Sequence, residues 1–179
     1  MLSQKTKGGL DEYFRLLRKK FLERFSTIIG LNADSLDRAE VAELCSDTKS
    51  KLSTPHYVTR RYAEFSSAIN GLNMDMGNDR RVEAGLELLR GKMEALLDRM
   101  ATHMLTDADA EKNKHIFYIN NFDLILSVLG KREVFSTDRE RFTFLLDEQI
   151  TSYVALQLSI HYQPLITFVN TVKVNIPKG

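Results

Sequence analysis

The 179-residue chain carries 25 Lys and Arg against 24 Asp and Glu, a formal charge of +1, so it lacks the basic surplus that a nucleic acid or an anionic membrane would select. Its length is enough to bury roughly 70% of the unfolded surface without disulfides or a metal, and the single Cys45 has no partner for an internal disulfide, which points to the reducing cytosol. No apolar run approaches the ~18 residues of a membrane span, and no basic start meets an apolar core as in a secretion signal. Three prolines and nine glycines leave room for long helices.

Leu10, Phe14, Leu17, Phe21, Phe25 and Ile28 recur at helical spacing and predict a first helix that buries this stripe. Arg15, Arg18, Lys19, Lys20 and Arg24 spread around the remaining circumference as a solvated face, and Leu16 points outward. Leu31 to Ser53 is polar and predicts a connection holding at most a small helix at Leu36 to Leu44. Thr54 is placed to cap a second long helix, with Pro55 at its first position, where a missing N–H costs nothing. Val58, Tyr62, Phe65, Ile69 and Leu72 form its expected buried stripe. Gly71, Asn73, Gly77 and Asn78 mark its end and the following turn.

Val82, Leu86, Leu89, Met93, Leu96 and Met100 alternate at four and three residues, a coiled-coil-like seam that His103 continues as a packing residue. The acidic turn Thr106 to Glu111 then separates two helices. Ile116 to Leu129, IFYINNFDLILSVL, is apolar on two sides: Tyr118, Ile119, Phe122, Ile125, Leu126 and Leu129 on one, Phe117, Leu124 and Val128 on the other. Such a helix belongs between neighbours, with Asn120, Asp123 and Ser127 as its polar edge. After a turn at Gly130, Thr137 and Glu140 have capping-box spacing ahead of Phe142, Leu146, Tyr153, Leu156 and Ile160. Pro164 ends or kinks that helix, and Leu165, Phe168, Val169 and Val172 make a last short amphipathic one. The count is five or six helices and no strand.

The chain carries no recognisable catalytic motif. Asp107, Asp109 and Glu111 mimic the start of a calcium loop, but Lys112 stands where the sharp turn needs glycine and Tyr118 where a bidentate acid belongs. His56, His103, His115 and His161 lack metal-ligand spacing, and Cys45 lies in a polar connection without a nucleophile's context. Lys7 to Gly9 lacks the rest of a phosphate-binding loop. No cofactor, metal, nucleic acid or enzymatic activity is expected.

Two stretches are informative together. PHYVTRRYAEFSSAI, Pro55 to Ile69, followed about fifty residues later by IFYINNFDLILSVL, resembles the C-terminal region of the vacuolar protein sorting-associated protein 52 family. The likeness extends more loosely over EYFRLLRKKFLERFSTII and PLITFVNTV. The resemblance implies an all-α, elongated antiparallel helical bundle of the helical-rod type found in vesicle-tethering subunits. It also implies a non-catalytic module for endosome-to-trans-Golgi transport, in the Golgi-associated retrograde protein complex and its endosomal counterpart. Implied partners are the other tethering-complex subunits, a Rab-type small GTPase and, through the complex, SNARE proteins. The implied location is peripheral, on the cytosolic face of the trans-Golgi network and endosomes. Family members are several times longer and carry an N-terminal coiled-coil region, so the chain is expected to be either a C-terminal fragment or a reduced homologue. Residues 1–179 are taken as one helical-rod region, with two stacked units meeting near 107–115.

Within Pro55 to Ile69, Arg61 lies four residues after Tyr57 and four before Phe65, at the expected edge of the apolar stripe, which assigns it to a helix–helix boundary. Arg60 points away, four residues before Glu64, with which it can form a surface pair of about 0.3 to 0.5 kcal/mol. The partner-binding expectation is a patch of His56, Arg60 and Glu64. The competing expectation is a structural spacer with no direct GTPase contact. An exposed Leu16 within a contiguous apolar patch would favour binding, and a fully polar surface would favour the spacer.

Overall fold

Helical periodicity, scarcely interrupted by breakers, is realised throughout most of the described residues. The computed structural model describes residues 3–46, 54–104, 109–131 and 137–175. Among these it forms α1 (Ser3–Arg38), α2 (Val41–Leu44), α3 (Tyr57–Asp75), α4 (Arg80–Met104), α5 (Ala110–Gly130), α6 (Thr137–His161) and α7 (Gln163–Asn175), with no strand.

The seam on α4 is the axis of the core. Val82, Leu86, Leu89, Met93, Leu96 and Met100 are all buried, joined by Leu97 and Ala101. α1 lies parallel to α4. Arg18 pairs with Asp79 at 3.0 Å just before α4 begins, and Lys92 pairs with Asp37 at 2.6 Å further along. Arg99 donates to the carbonyls of Leu36 and Asp37 and so satisfies orphan acceptors at the end of α1. Between these points Gly85 permits close approach: a Cβ there would stand 3.2 Å from the Phe25 ring.

α5 packs between α3 and α6, as its two apolar sides require. The Tyr118 hydroxyl ties it to α4 by donating to Asp98 at 2.6 Å. α6 runs parallel to α4, held by Arg90–Asp138 at 2.7 Å and Arg141–Glu94 at 2.7 Å. Asp138 is buried in the first turn of α6 and also accepts from Tyr62 (3.0 Å) and Ser66 (2.6 Å) of α3. His115 near the start of α5 faces Gln149 at 2.9 Å, so the rest of α6 outruns its neighbour.

Pro164 breaks the helix but does not turn it back. Tyr162 still donates to the Leu158 carbonyl and Ile166 to that of Tyr162, so α7 continues α6 across a kink. The N-terminal part of α1 and the α6–α7 segment therefore project past opposite ends of α4.

Several expectations are corrected. α1 does not end near Gly30; Ala33 and Leu36 continue its contact, and the helix runs to Arg38. Its buried face is Leu22, Phe25, Ile29 and Ala33, while Leu10, Phe14, Leu17, Phe21 and Ile28 are exposed. α4 starts level with Arg18, so Leu10, Phe14 and Leu17 have no helix to meet, while Phe21 and Ile28 lie about a quarter-turn from the face that α4 covers, at ~100° per residue. α3 is capped by His56 instead of Thr54, and Leu72 is exposed. Its buried face is Thr59, Tyr62, Ala63, Ser66 and Ser67, small or polar side chains that admit α5 closely. The helix continues past Gly71 to Asp75, and the turn falls at Gly77 and Asn78, both at positive φ. His103 is exposed and does not extend the seam. In α6 Phe142 is buried, but Ile160 is exposed.

The revised face of α1 is checked by truncation. Leu22→Ala should cost about 2 to 5 kcal/mol in urea unfolding, and Leu17→Ala should stay within about 0.5 kcal/mol. The original stripe demands the reverse order.

Candidate interaction surface

α1 carries two apolar stripes. Leu22, Phe25 and Ile29 meet α4, and about a quarter-turn away, at ~100° per residue, Leu10, Phe14, Leu17, Phe21, Ile28 and Leu31 face outward. The outward stripe leads into a cleft of about 420 Å³ between α1 and α3. Asn32, Ser35 and Leu36 form one wall, Tyr57, Val58, Arg61 and Phe65 the other, with Leu89 and Leu96 of α4 also lining it.

Arg61 stands at this cleft with its guanidinium 5.2 Å from the centre of the Tyr57 ring, a cation–π contact one helical turn apart. It is exposed and makes no ion pair among the described residues. The expected helix–helix boundary is met by its place at the cleft and its packing on Tyr57, while the expected ion pair is not formed among the described residues. The stripe counted from Val58, Tyr62, Phe65, Ile69 and Leu72 is displaced about a quarter-turn from the face α3 buries, at ~100° per residue, and that displacement carries Arg61 into solvent. Arg60 pairs with Glu64 at 4.0 Å, both side chains more than half exposed, as the spacing expected.

His56 does not join them. It is 5% exposed and works inward. Its backbone N–H donates to Asn121 Oδ1 at 3.0 Å, and Nδ1 accepts from the Val58 N–H at 3.3 Å. With Nδ1 an acceptor the proton sits on Nε2, which donates to the Leu44 carbonyl at 3.2 Å. Asn121 also accepts from Thr59 Oγ1 at 2.7 Å and donates to the Phe117 carbonyl, closing a buried network across α3 and α5. Burial pushes the His56 imidazole below its ordinary value, partly offset by the Leu44 carbonyl. Of the three expected partner-facing residues, Arg60 and Glu64 share an exposed face and His56 is a structural cap. The four-residue spacing of Tyr57 and Arg61 is legible in the sequence, and the structure makes of it a cation–π contact that the spacing alone does not imply.

Among the described residues no three His, Cys, Asp or Glu side chains converge as metal ligands, and no helix is long and apolar enough to cross a membrane. Of the acidic turn, residues 105–108 lie outside the described residues.

Residues 2–154 match the family described as Vps52, C-terminal. The human vacuolar protein sorting-associated protein 52 homolog is 30% identical over 173 residues, 96% of this chain and 22% of that protein. The Caenorhabditis elegans homolog is 29% identical over 100% of this chain and 25% of its own length. The Arabidopsis thaliana protein 52 B is 28% identical over 96% of this chain and 23% of its own. The chain thus spans about a quarter of the length of the curated relatives it matches. No solved structure matches it.

Because both arginines face solvent, Arg60→Glu and Arg61→Glu should each leave the thermal midpoint within about 2 °C of the parent; a large loss for Arg61→Glu alone would give its boundary packing the stabilising role expected of it. The His56 cap carries a pH dependence. The folded-state imidazole titrates below its unfolded value near 6.5, so the unfolded chain takes up the proton first. This contribution to stability is complete above that value and declines as pH falls through it. Urea midpoints between pH 7.5 and 5.5 should fall, and His56→Asn, which can still cap but does not titrate, should flatten the slope.

Proposed function

The chain belongs to the Vps52 C-terminal family, and from that premise we propose that it is a non-catalytic module of a multisubunit tether serving endosome-to-trans-Golgi transport, which binds a Rab-type GTPase or another trafficking protein. The observation that carries the binding reading is the exposed α1 stripe running into the cleft where Arg61 stacks on Tyr57. Exposed apolar residues at helical spacing, rimmed by polar and cationic side chains, are what a partner surface requires. Leu16 is exposed as well, 46%, about a third of a turn from that stripe at ~100° per residue, so the uncovered surface of α1 is not the polar surface of an inert strut. In this reading the other tether subunits and SNARE proteins are reached through the assembled complex, and the module is peripheral at the cytosolic face of trans-Golgi and endosomal membranes.

A second reading has its own support. The overhanging ends of α1 and α6–α7 suit a spacer that stacks on neighbouring units of a rod, with no GTPase contact.

A titration separates the two. The purified chain is titrated against the Golgi Rab of its own organism, loaded with a GTP analogue or with GDP. Saturable, GTP-selective binding that Arg61→Glu weakens tenfold or more, about 1.4 kcal/mol, supports the binding module. Equal or absent binding in the two nucleotide states leaves the spacer.

A further inference from the structure

The α6–α7 overhang differs in kind from the α1 stripe. From Gln149 to Val172 the sequence has no Asp, Glu, Lys or Arg. Val154, Leu158, Tyr162, Leu165 and Val169, spaced by four, four, three and four, are 39% to 58% exposed. The last four, with Ile166, line a shallow apolar groove along the kinked helix. Among the described residues α7 packs chiefly on α6. The segment therefore presents a large apolar face, and nothing in the described residues covers it.

We infer that this overhang is the seat of a two-fold, antiparallel contact between two copies of the chain. A surface with no formal charge is compatible with itself, because bringing two copies together sets no like charges side by side. The α1 stripe lacks that property, since Lys20 and Arg24 lie on or beside it. An antiparallel pair centred between His161 and Tyr162 also sets Val154 opposite Val169 and Leu158 opposite Leu165. The same register sets position 173, a lysine, opposite Ile150 of the second copy and within about one helical turn of Asp147 and Glu148 in sequence, so the charges that bound the neutral stretch are of opposite sign. Val154 to Asn175 extends about 33 Å at 1.5 Å per residue. Two such faces cover on the order of 1,000 Å² or more, the size at which an interface becomes specific.

The test is mass in solution by sedimentation equilibrium, from 5 to 200 µM, on the full 179-residue chain. The parent should pass from one to two chain masses and stop there. Leu158→Glu should be monomeric throughout with unchanged helical circular dichroism. Leu158→Glu combined with Leu165→Lys should recover the dimer, because the antiparallel register sets Glu against Lys twice. Leu17→Glu, in the α1 stripe, should dimerise like the parent. A monomeric parent, growth beyond two chains, a Leu158→Glu variant that still dimerises, a charge-swapped variant that stays monomeric, or loss of the dimer in Leu17→Glu would each overturn the inference.

Discussion

One buried carboxylate, Asp138, decides where the second half of the molecule sits. It lies in the first turn of α6, where the helix's partial positive charge favours an anion. There it accepts from Tyr62 and Ser66 of α3 and from Arg90 of α4. Three helices are joined at a group that is 2% exposed. Burying such a charge is unfavourable unless its acceptors are filled, and here three donors fill them. The Tyr62 phenol is held well above its ordinary value, first by burial and then by the charge of Asp138, so it remains a donor. Arg90 is itself flanked by Glu87 and Glu94, which leaves the cluster without a bare charge. A well-packed apolar replacement could equal its stability; its contribution is to fix the start of α6 at one level along α3 and α4.

The overhangs follow from that level. Once Asp138 is set against Arg90, and Arg141 against Glu94, α6 runs parallel to α4, and its 25 residues carry it past the end of the bundle. α1 is set in the same manner at the other end. Asp79 is held well below the usual carboxylate range, chiefly by the Arg81 side chain and backbone N–H, with Arg18 adding to it. That arrangement places Arg18 at the level where α4 begins. Everything on α1 before it projects, so polar locks near two helix starts determine which apolar surface is left without a neighbour.

The elements legible in the sequence are those whose packing is decided within the element. The α4 seam is regular and single, and all six of its expected residues are buried. α5 is apolar on both sides and does lie between two helices. α3 was not legible because its buried face is polar in composition. Thr59, Ser66 and the cap His56 are satisfied by Asn121 and Asp138, more than 60 residues away, and local periodicity carries no information about such partners. The two-sided nature of α1 was hidden for a related reason. Phe25 lies near the boundary between its stripes, and the larger side chains lie on the stripe that α4 does not reach.

Both misjudged faces err in one direction. On α1 and on α3 the conspicuous apolar stripe is displaced about a quarter-turn from the core, at ~100° per residue. The two displaced stripes then face the same space. Val58 and Phe65 of α3 line the cleft that Asn32 and Ser35 of α1 bound from the other side, and the outward stripe of α1 leads into it. A helix with one core-facing stripe and a second, larger one has more apolar surface than its own fold can bury. Where two such helices adjoin, the excess forms a continuous receptive surface. The places where core-counting fails on this chain are therefore places where apolar surface is left uncovered, as the proposed partner contact requires. Arg61 belongs with them: the displacement that leaves Val58 and Phe65 half-buried also turns its guanidinium onto Tyr57, at the edge of that surface.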